Sequence, residues 1–430
     1  MLLWSGQSIS ELGSAVTVLV LPLTAVVVLN ASTFQVGLLS AATTISFLLI
    51  ALPAGAVVDR MARRRLMIGC DTARMLIIGS VPAAAALGLL TLAQLYVVAV
   101  AAGVLTVFFD VAYQSYTLTL ISRDQLMDGN GKLAATQSFS QVAGPGLGGT
   151  LFGLLRAGAM TADAASYAVS AASLLLIRSR EPMQARPHGA PRVRLRTEIF
   201  AGLAFVLRQP VLRKIAACTA TWNLFGAMAS ALGIIFLVRL LHVRPADAGL
   251  LLAAGSLGGV AAGVASGAVA RAIGSARMIW FAPLVFGVIA LALPAAEPGW
   301  RLALYPLGLA GWSFSGVLYN IAQLSYRQMI CPPELLGRMN SAVRWIVWGT
   351  LPLGGLLGGA LGSELGVRPT LWIAVTGCYA AGLWVLFSPL RRMRDAPGPE
   401  APAAAESPAP PGAARETPRP QARRPPATDP

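Results

Sequence analysis

The residues of this chain that could do chemistry are few, and most are charges placed where charge is expensive. Glu11, Asp71, Arg74, Asp110 and Arg344 each lie inside long apolar stretches. An ionisable side chain within a membrane-length apolar run is costly, so each is a functional candidate whose partner must be found. Glu11 admits two readings. The spacing Ser8-x-x-Glu11 is that of a helix capping box, and a carboxylate at this place can also carry a proton that couples transport to a gradient. Asp71 and Arg74 stand three residues apart, so on a helix they share a face and can pair, as a structural bridge or as part of a proton relay. Asp110 has no local partner and needs one from another helix. Arg344, a turn into its own apolar run, needs one too.

Other chemistries are excluded by what is missing. Gly129-Asn130-Gly131-Lys132 is too short for a phosphate-binding loop and lacks its hydroxyl residue, so no nucleotide is expected to energise the chain directly. The two histidines, His188 and His242, fall in a linker and a loop, which leaves no Ser/His/Asp set. The chain is expected to be no enzyme and to need no cofactor or metal. Cys70, Cys218, Cys331 and Cys378 are scattered, form no C-x-x-C pair, and read as small packing residues.

The elements that carry these residues follow from composition. The chain is 56% hydrophobic and only 12% charged, with mean hydropathy +0.66. A soluble domain is about 25% charged, and a soluble fold cannot hide this much apolar surface. The chain therefore reads as an all-α membrane protein. Runs of about 20 apolar residues, the length that spans a bilayer, are predicted at 8–29, 35–57, 66–89, 93–118, 135–157, 161–178, 212–238, 248–270, 276–294, 301–326, 341–362 and 369–389. No cleavable leader is evident before the first. The net charge of +15 sits in short loops rather than along one helix face, which argues against nucleic-acid binding.

Alternate loops collect the arginines. The densest is the hinge between the second and third runs, Asp59, Arg60, Arg63, Arg64 and Arg65, preceded by Gly55. An arginine of this hinge is the obvious partner for Asp110. By the positive-inside rule the hinge and both termini are cytoplasmic. A polar connection follows the sixth run, and 197–208 reads as an interfacial amphipathic helix capped by Thr197 and stopped by Pro210. The expected division is 1–178, a six-helix bundle; 179–211, a linker; 212–390, a second six-helix bundle; and 391–430, a disordered Pro/Ala-rich cytoplasmic tail.

The two halves repeat each other. Val36–Ala42 matches Ala248–Ala254, Gly55 matches Gly267, and Gly144-Pro145-Gly146-Leu147-Gly148-Gly149 matches Gly354–Gly359. Tyr116 and Tyr326, Leu126 and Leu336, and Asn130 and Asn340 hold the same register. Repeats of this kind place a substrate site between the halves near mid-membrane. Gly144, Pro145, Gly148 and Gly149 serve either close helix packing or a hinge. Gln114, Gln137, Gln141, Trp222, Asn223, Asn320 and Gln323 are polar or aromatic residues at mid-depth. Each alone can be a helix–helix hydrogen bond; as a set they suggest a weakly charged pocket for a large amphipathic ligand.

The hinge resembles the signature G-x-L-a-D-R-x-G-R-[RK] of the major facilitator superfamily, through Gly55, Asp59, Arg60, Arg63 and Arg64, with Ala62 where glycine is usual. Gly131, Gly144, Pro145, Gly148 and Gly149 match its antiporter signature G-x8-G-x3-G-P-x2-G-G, with Ser140 replacing one glycine. Phe108–Tyr116 and Leu336–Asn340 are similar to the enterobactin-exporter and macrolide-efflux branch. The resemblance implies twelve helices in two pseudo-symmetric six-helix bundles that rock about a central cavity. It implies a cytoplasmic gate in which Asp59 sits against the start of span eleven and Arg63 pairs with Asp110. It implies a monomer in a bacterial inner membrane, in contact with lipid, that exports a hydrophobic or amphipathic small molecule (drug, macrolide or siderophore class) by proton antiport. An uptake symporter, or a non-transporting scaffold or sensor, is the alternative.

Overall fold

An apolar run in hydrocarbon can satisfy its backbone polar groups within itself only by coiling into a helix. The computed structural model describes residues 2–58, 61–120, 126–177, 203–331 and 336–395, and every regular element in them is helical. In chain order these are α1 (Leu2–Leu23), α2 (Thr33–Val58), α3 (Arg63–Ala86), α4 (Leu92–Leu120), α5 (Leu126–Leu155), α6 (Met160–Leu176), α7 (Pro210–Ile235), α8 (Pro245–Ile273), α9 (Ser275–Phe281), α10 (Leu304–Ile330), α11 (Leu336–Glu364) and α12 (Val367–Leu386). Eleven stretches among the described residues are long and apolar enough to cross a membrane. One of them, Ala135–Leu176, holds both α5 and α6. The chain turns there at Arg156 (φ +50°) and passes through the short 3-10 turn Arg156–Ala159. The predicted twelve crossings follow.

Two spans differ from expectation. α1 begins at Leu2, so Ser8 lies inside the helix and caps nothing. Its hydroxyl donates to the Trp4 carbonyl at 2.8 Å and meets Thr136 Oγ1 at 3.1 Å, which removes the capping-box reading of Glu11. The ninth span is not one helix. α9 gives way to the π turn Ala282–Phe286, where Pro283 has no N–H to donate, and then to the 3-10 turn Gly287–Ala292. Of the amphipathic segment only 203–208 is described, and it is helical. Thr197, the polar linker and the tail beyond residue 395 lie outside the described residues.

The duplication is written into the backbone. α1 runs on into a π turn, Thr24–Val28, and α7 into another, Phe236–Leu240, at the same offset that separates Gly37 from Gly249. Each is followed by a left-handed residue, Asn30 (φ +51°) and His242 (φ +54°). The bonds repeat as well. Leu29 N donates to Thr24 O at 3.2 Å and Leu241 N to Phe236 O at 3.0 Å; Ala31 N donates to Ala25 O and Val243 N to Leu237 O, both at 2.9 Å.

Packing follows the same symmetry. In the first half α1 packs on α5 and α6, and α2 on α4. In the second, α7 packs on α11 and α12, and α8 on α10. Glycines make these approaches possible, since helix association in lipid depends on close contact. A Cβ on Gly148 would stand 3.1 Å from the Val16 carbonyl oxygen, and one on Gly358 would stand 2.8 Å from that of Met228. Between halves, α2 meets α11 and α5 meets α8. The closest of these contacts lie at the end of the molecule opposite the hinge. There Gly37 rests on Gly359, and Gly149 on Gly249, close enough that a Cβ on Gly359 would stand 2.9 Å from the Gly37 Cα. The Val26 carbonyl, in the first π turn, accepts a hydrogen bond at 3.1 Å from Arg239 Nη2 in the second. At the hinge end, Gly55 has nothing among the described residues within 4 Å of the place a Cβ would take.

Gly358→Leu forces a side chain into the α7 backbone and is expected to cost about 1–3 kcal/mol. It should lower the thermal unfolding midpoint in detergent, whereas Gly263→Leu, at a glycine with open space around it, should leave the midpoint near wild type.

Candidate functional site

A cavity of about 430 Å³ lies between the halves, walled by α1, α5, α7, α8, α10 and α11. Trp222 and Trp312 meet edge to face across it, ring centroids 5.6 Å apart. Glycines leave room for both indoles. A Cβ on Gly226 would stand 3.4 Å from Trp312, and one on Gly316 would stand 3.5 Å from Trp222. Among the described residues the polar groups on the wall are few, Asn223, Ser230, Ser256 and Tyr305, and none is charged. Asn223 is already held, its Nδ2 donating to the Val347 carbonyl at 3.1 Å. Such a surface suits a ligand with broad apolar or aromatic faces, and it offers no counter-charge to a bare ion.

A second cavity, about 330 Å³, lies among α1, α2, α4 and α6 and shares Val18, Pro22 and Ser230 with the first. Its polar lining includes Thr17, Thr43, Thr106, Asp163 and Tyr167. Beside it sits a buried charge cluster. Arg74 forms an ion pair with Asp71, the two side chains 4% and 0% exposed. The guanidinium also lies over the rings of Phe109 and Tyr167, each 4.4 Å from its carbon, and reaches Thr106 Oγ1 at 3.4 Å. Tyr167 is fixed in turn by a 2.9 Å hydrogen bond with Ser14. Arg74 acts on two further carboxyls, Asp110 and Asp163. Asp71 and Asp163 thus share Arg74, while Asp110 also feels Arg344. Fully ionised, they would leave uncompensated negative charge in a low-dielectric interior, at a cost of several kcal/mol per ion.

The antiparallel run of α3 and α4 decides which hinge contacts form. Arg63 Nη1 reaches the Ser115 carbonyl at 3.5 Å. Arg74, three turns further along α3, is level with Thr106. The resemblance pairs Asp110 with Arg63; among the described residues the charges that act on Asp110 include those of Arg74, Glu11 and Arg344. Arg64 is anchored on α6, with Nε to the Leu174 carbonyl at 2.8 Å and Nη2 to that of Leu175 at 2.9 Å. Unpaired carbonyls at a helix C-terminus favour a cation. Asp59 and Arg60 lie outside the described residues. Glu11 accepts from Gln7 Nε2 at 3.1 Å, and Arg344 lies 5.4 Å from the ring centre of Trp348.

Of the seven polar and aromatic cavity candidates, Trp222 and Asn223 line the cavity between the halves. Gln114, Gln137, Gln141 and Asn320 are exposed and line neither cavity. They sit in the hinge-end halves of their helices, whereas the cavity lies toward the far end. Gln323 is buried in a chain of bonds along α10, accepting from Arg327 at 3.1 Å and donating to Asn320 at 2.9 Å. Pro145 lines the first cavity, while Gly144, Gly148 and Gly149 are packed against α1 and α8. The sequence reading passes over Asp163, Tyr167 and Trp312. The rule that flags Asp71 and Asp110 flags Asp163 too, but an acid in the first turn of a helix looks like an ordinary partner for the helix dipole.

A family model described as transmembrane secretion effector matches residues 1–410. The chain is 26% identical over 381 residues to the multidrug efflux pump Tap of Mycolicibacterium fortuitum, covering 85% of this chain and 90% of that one. It is 27% identical over 378 residues to the enterobactin exporter EntS of Citrobacter koseri, covering 85% and 86%. In fold it is similar to the crystal structure of the nucleoside transporter NupG, with a TM-score of 0.71 at 12% identity over 90% of this chain and 97% of that one. The twelve apolar crossings, the duplicated halves and the cavity between them agree with these likenesses, and the chain belongs to the transmembrane secretion effector family of major facilitator transporters, as a multi-pass membrane protein with efflux pumps among its relatives.

Proposed function

We propose that the chain exports a hydrophobic or amphipathic small molecule in exchange for protons, by alternating access. The observation that carries this reading is the uncharged, tryptophan-bearing cavity between the two halves. A ligand held there is recognised by apolar area and ring stacking, which tolerates varied shapes. Two relatives, a multidrug efflux pump and an enterobactin exporter, support export and a drug or siderophore class, and the sequence resemblance adds macrolides. The loop charges favour a cytoplasmic hinge end and cytoplasmic termini, in the inner membrane of a bacterium, with the chain acting as a monomer among lipids. On that orientation the glycine contacts close the outer side, and a ligand loads from the cytoplasm or the inner leaflet.

The opposite state closes at the hinge. There Asp59 moves against the start of α11, whose N-terminal dipole favours an anion. Arg60 and Arg63 draw toward acids of the first half, Asp110 among them. Gly55 leaves room for the approach, and the Gly144–Gly149 stretch lets α5 slide on α1 and α8. Arg64 stays on the end of α6 throughout.

In vesicles containing the purified chain, accumulation of ethidium against its gradient should stop when the proton gradient is collapsed; persistence would rule out proton coupling. Asp59→Asn should insert normally and lose most transport, and wild-type transport in that variant would remove the gate. Trp312→Ala should weaken ethidium binding roughly tenfold, the value of about 1.4 kcal/mol of aromatic contact, as read by fluorescence titration. Gly359→Leu should wedge the outer contact open. With Ser230→Cys as reporter, and the four native cysteines buried, a membrane-impermeant maleimide added outside should then label the cavity faster than in the Gly359 parent.

A further inference from the structure

We infer that Asp163 is the group that takes up and gives back the transported proton, in a cavity separate from the ligand's, and that Asp71 and Arg74 are its fixed electrostatic frame. This rests on the proton-exchange reading above and names the residue that performs it.

The first ground is placement. Asp163 is 1% exposed and lines the second cavity. Its Oδ1 accepts from Ser166 Oγ at 3.3 Å, while Oδ2 is buried with no hydrogen-bond partner among the described residues. Across the same cavity wall the buried Thr17 hydroxyl faces the Asp163 carboxyl closely enough to act on it, although neither Thr17 Oγ1 nor Oδ2 completes a hydrogen bond in this geometry. A buried carboxyl oxygen left unsatisfied costs free energy that a proton removes, because the protonated oxygen becomes a donor. α1 makes way for this group: a Cβ on Gly13 would stand 2.8 Å from Asp163 Oδ1.

The second ground is the contrast with the neighbouring acids. Asp71 also has a buried Oδ2 with no hydrogen-bond partner among the described residues, but it is held in its pair with Arg74 and lines neither cavity. Removing either partner of such a pair strands a buried charge, which suits a frame and not a shuttle. The groups around Asp163 are few. From α3 come Arg74 and Asp71, and from α6 itself Tyr167. Asp110 of α4 lies beyond Arg74. α1 presents the hydroxyls of Ser14 and Thr17, with Glu11 nearer the hinge, and the turn before α6 carries the exposed Arg156. Arg74 is the cation that favours the ionised form, and it is already shared with Asp71 and Asp110.

The third ground is the shared wall. Val18 and Pro22 of α1, with Ser230 of α7, border both cavities. α1 is interrupted there, by Pro22 and the π turn that follows it. The chemical step is one O–H bond: the carboxylate takes a proton from the side of higher proton activity, becomes neutral, and later releases it to the other side. The change in charge acts on the α1 wall, so proton and ligand influence each other across a helix and never compete for one residue.

The test uses the full chain in proteoliposomes with ethidium as probe. Asp163→Asn should lower pH-gradient-driven accumulation at least tenfold while ethidium–ethidium exchange without a gradient continues. The infrared carbonyl band of a protonated carboxylic acid, followed through a pH series, should be reduced in that variant. Gradient-driven accumulation that survives Asp163→Asn would overturn the assignment, as would loss of passive exchange in a variant whose thermal midpoint matches wild type. If Asp163→Asn does not fold, Asp163→Glu decides: its longer side chain should move the pH midpoint of accumulation, and an unmoved midpoint overturns the proposal. A wild-type chain indifferent to the proton gradient would instead bring down the exchange reading itself, and this assignment with it.

Discussion

Backbone contact between glycines of opposite halves is the constraint on which the rest of this structure depends. Gly37 on Gly359 and Gly149 on Gly249 bring α2 to α11 and α5 to α8 at the far end. Lipid tails are as apolar as leucine, so helices in a membrane are held by close packing more than by a hydrophobic effect. No side chain larger than hydrogen fits these contacts. Because they sit at one end, the cavity comes to lie just beyond them, and the polar residues nearer the hinge are left exposed. The hydrogen bond from Arg239 to the Val26 carbonyl joins the two π turns at the same end, so the places where the helices depart from regular geometry also tie the halves together.

A second constraint, the cost of charge in hydrocarbon, organises the first half. Arg74 is tolerated because Asp71, two aromatic faces and a hydroxyl surround it. The second half answers the same cost differently. Its cavity wall carries indoles, an amide and hydroxyls and no ion. This asymmetry within a duplicated fold separates the two tasks of the proposed exchange. Proton chemistry belongs to the first half, and ligand recognition rests largely on the second, with α1 as the partition.

Much of this was legible before any coordinates. Run length predicts twelve crossings, and glycine register predicts the duplication, which reappears as paired π turns and paired left-handed residues at Asn30 and His242. The Asp71–Arg74 pair follows from three-residue spacing alone. The π turns were not legible, because a widened turn answers to the contacts around it and leaves little trace in hydropathy. The capping reading of Ser8 and Glu11 failed because an apolar run shows where a span can lie but not where its helix starts.

The sequence by itself determined that the chain crosses a membrane repeatedly, that its halves are copies, and which spans carry charge, since hydrophobic length, repeat register and charge count are properties of the string. Tertiary structure decided who meets whom. It gave Asp110 the neighbourhood of Arg74 while Arg63 reached Ser115, because antiparallel helices match residues by depth. It brought Trp222 to Trp312 from spans far apart in the chain. It turned Asp163 from a helix-start acid into a buried carboxyl on a cavity wall, because burial is set by the neighbours a fold supplies and not by the residues beside it in sequence.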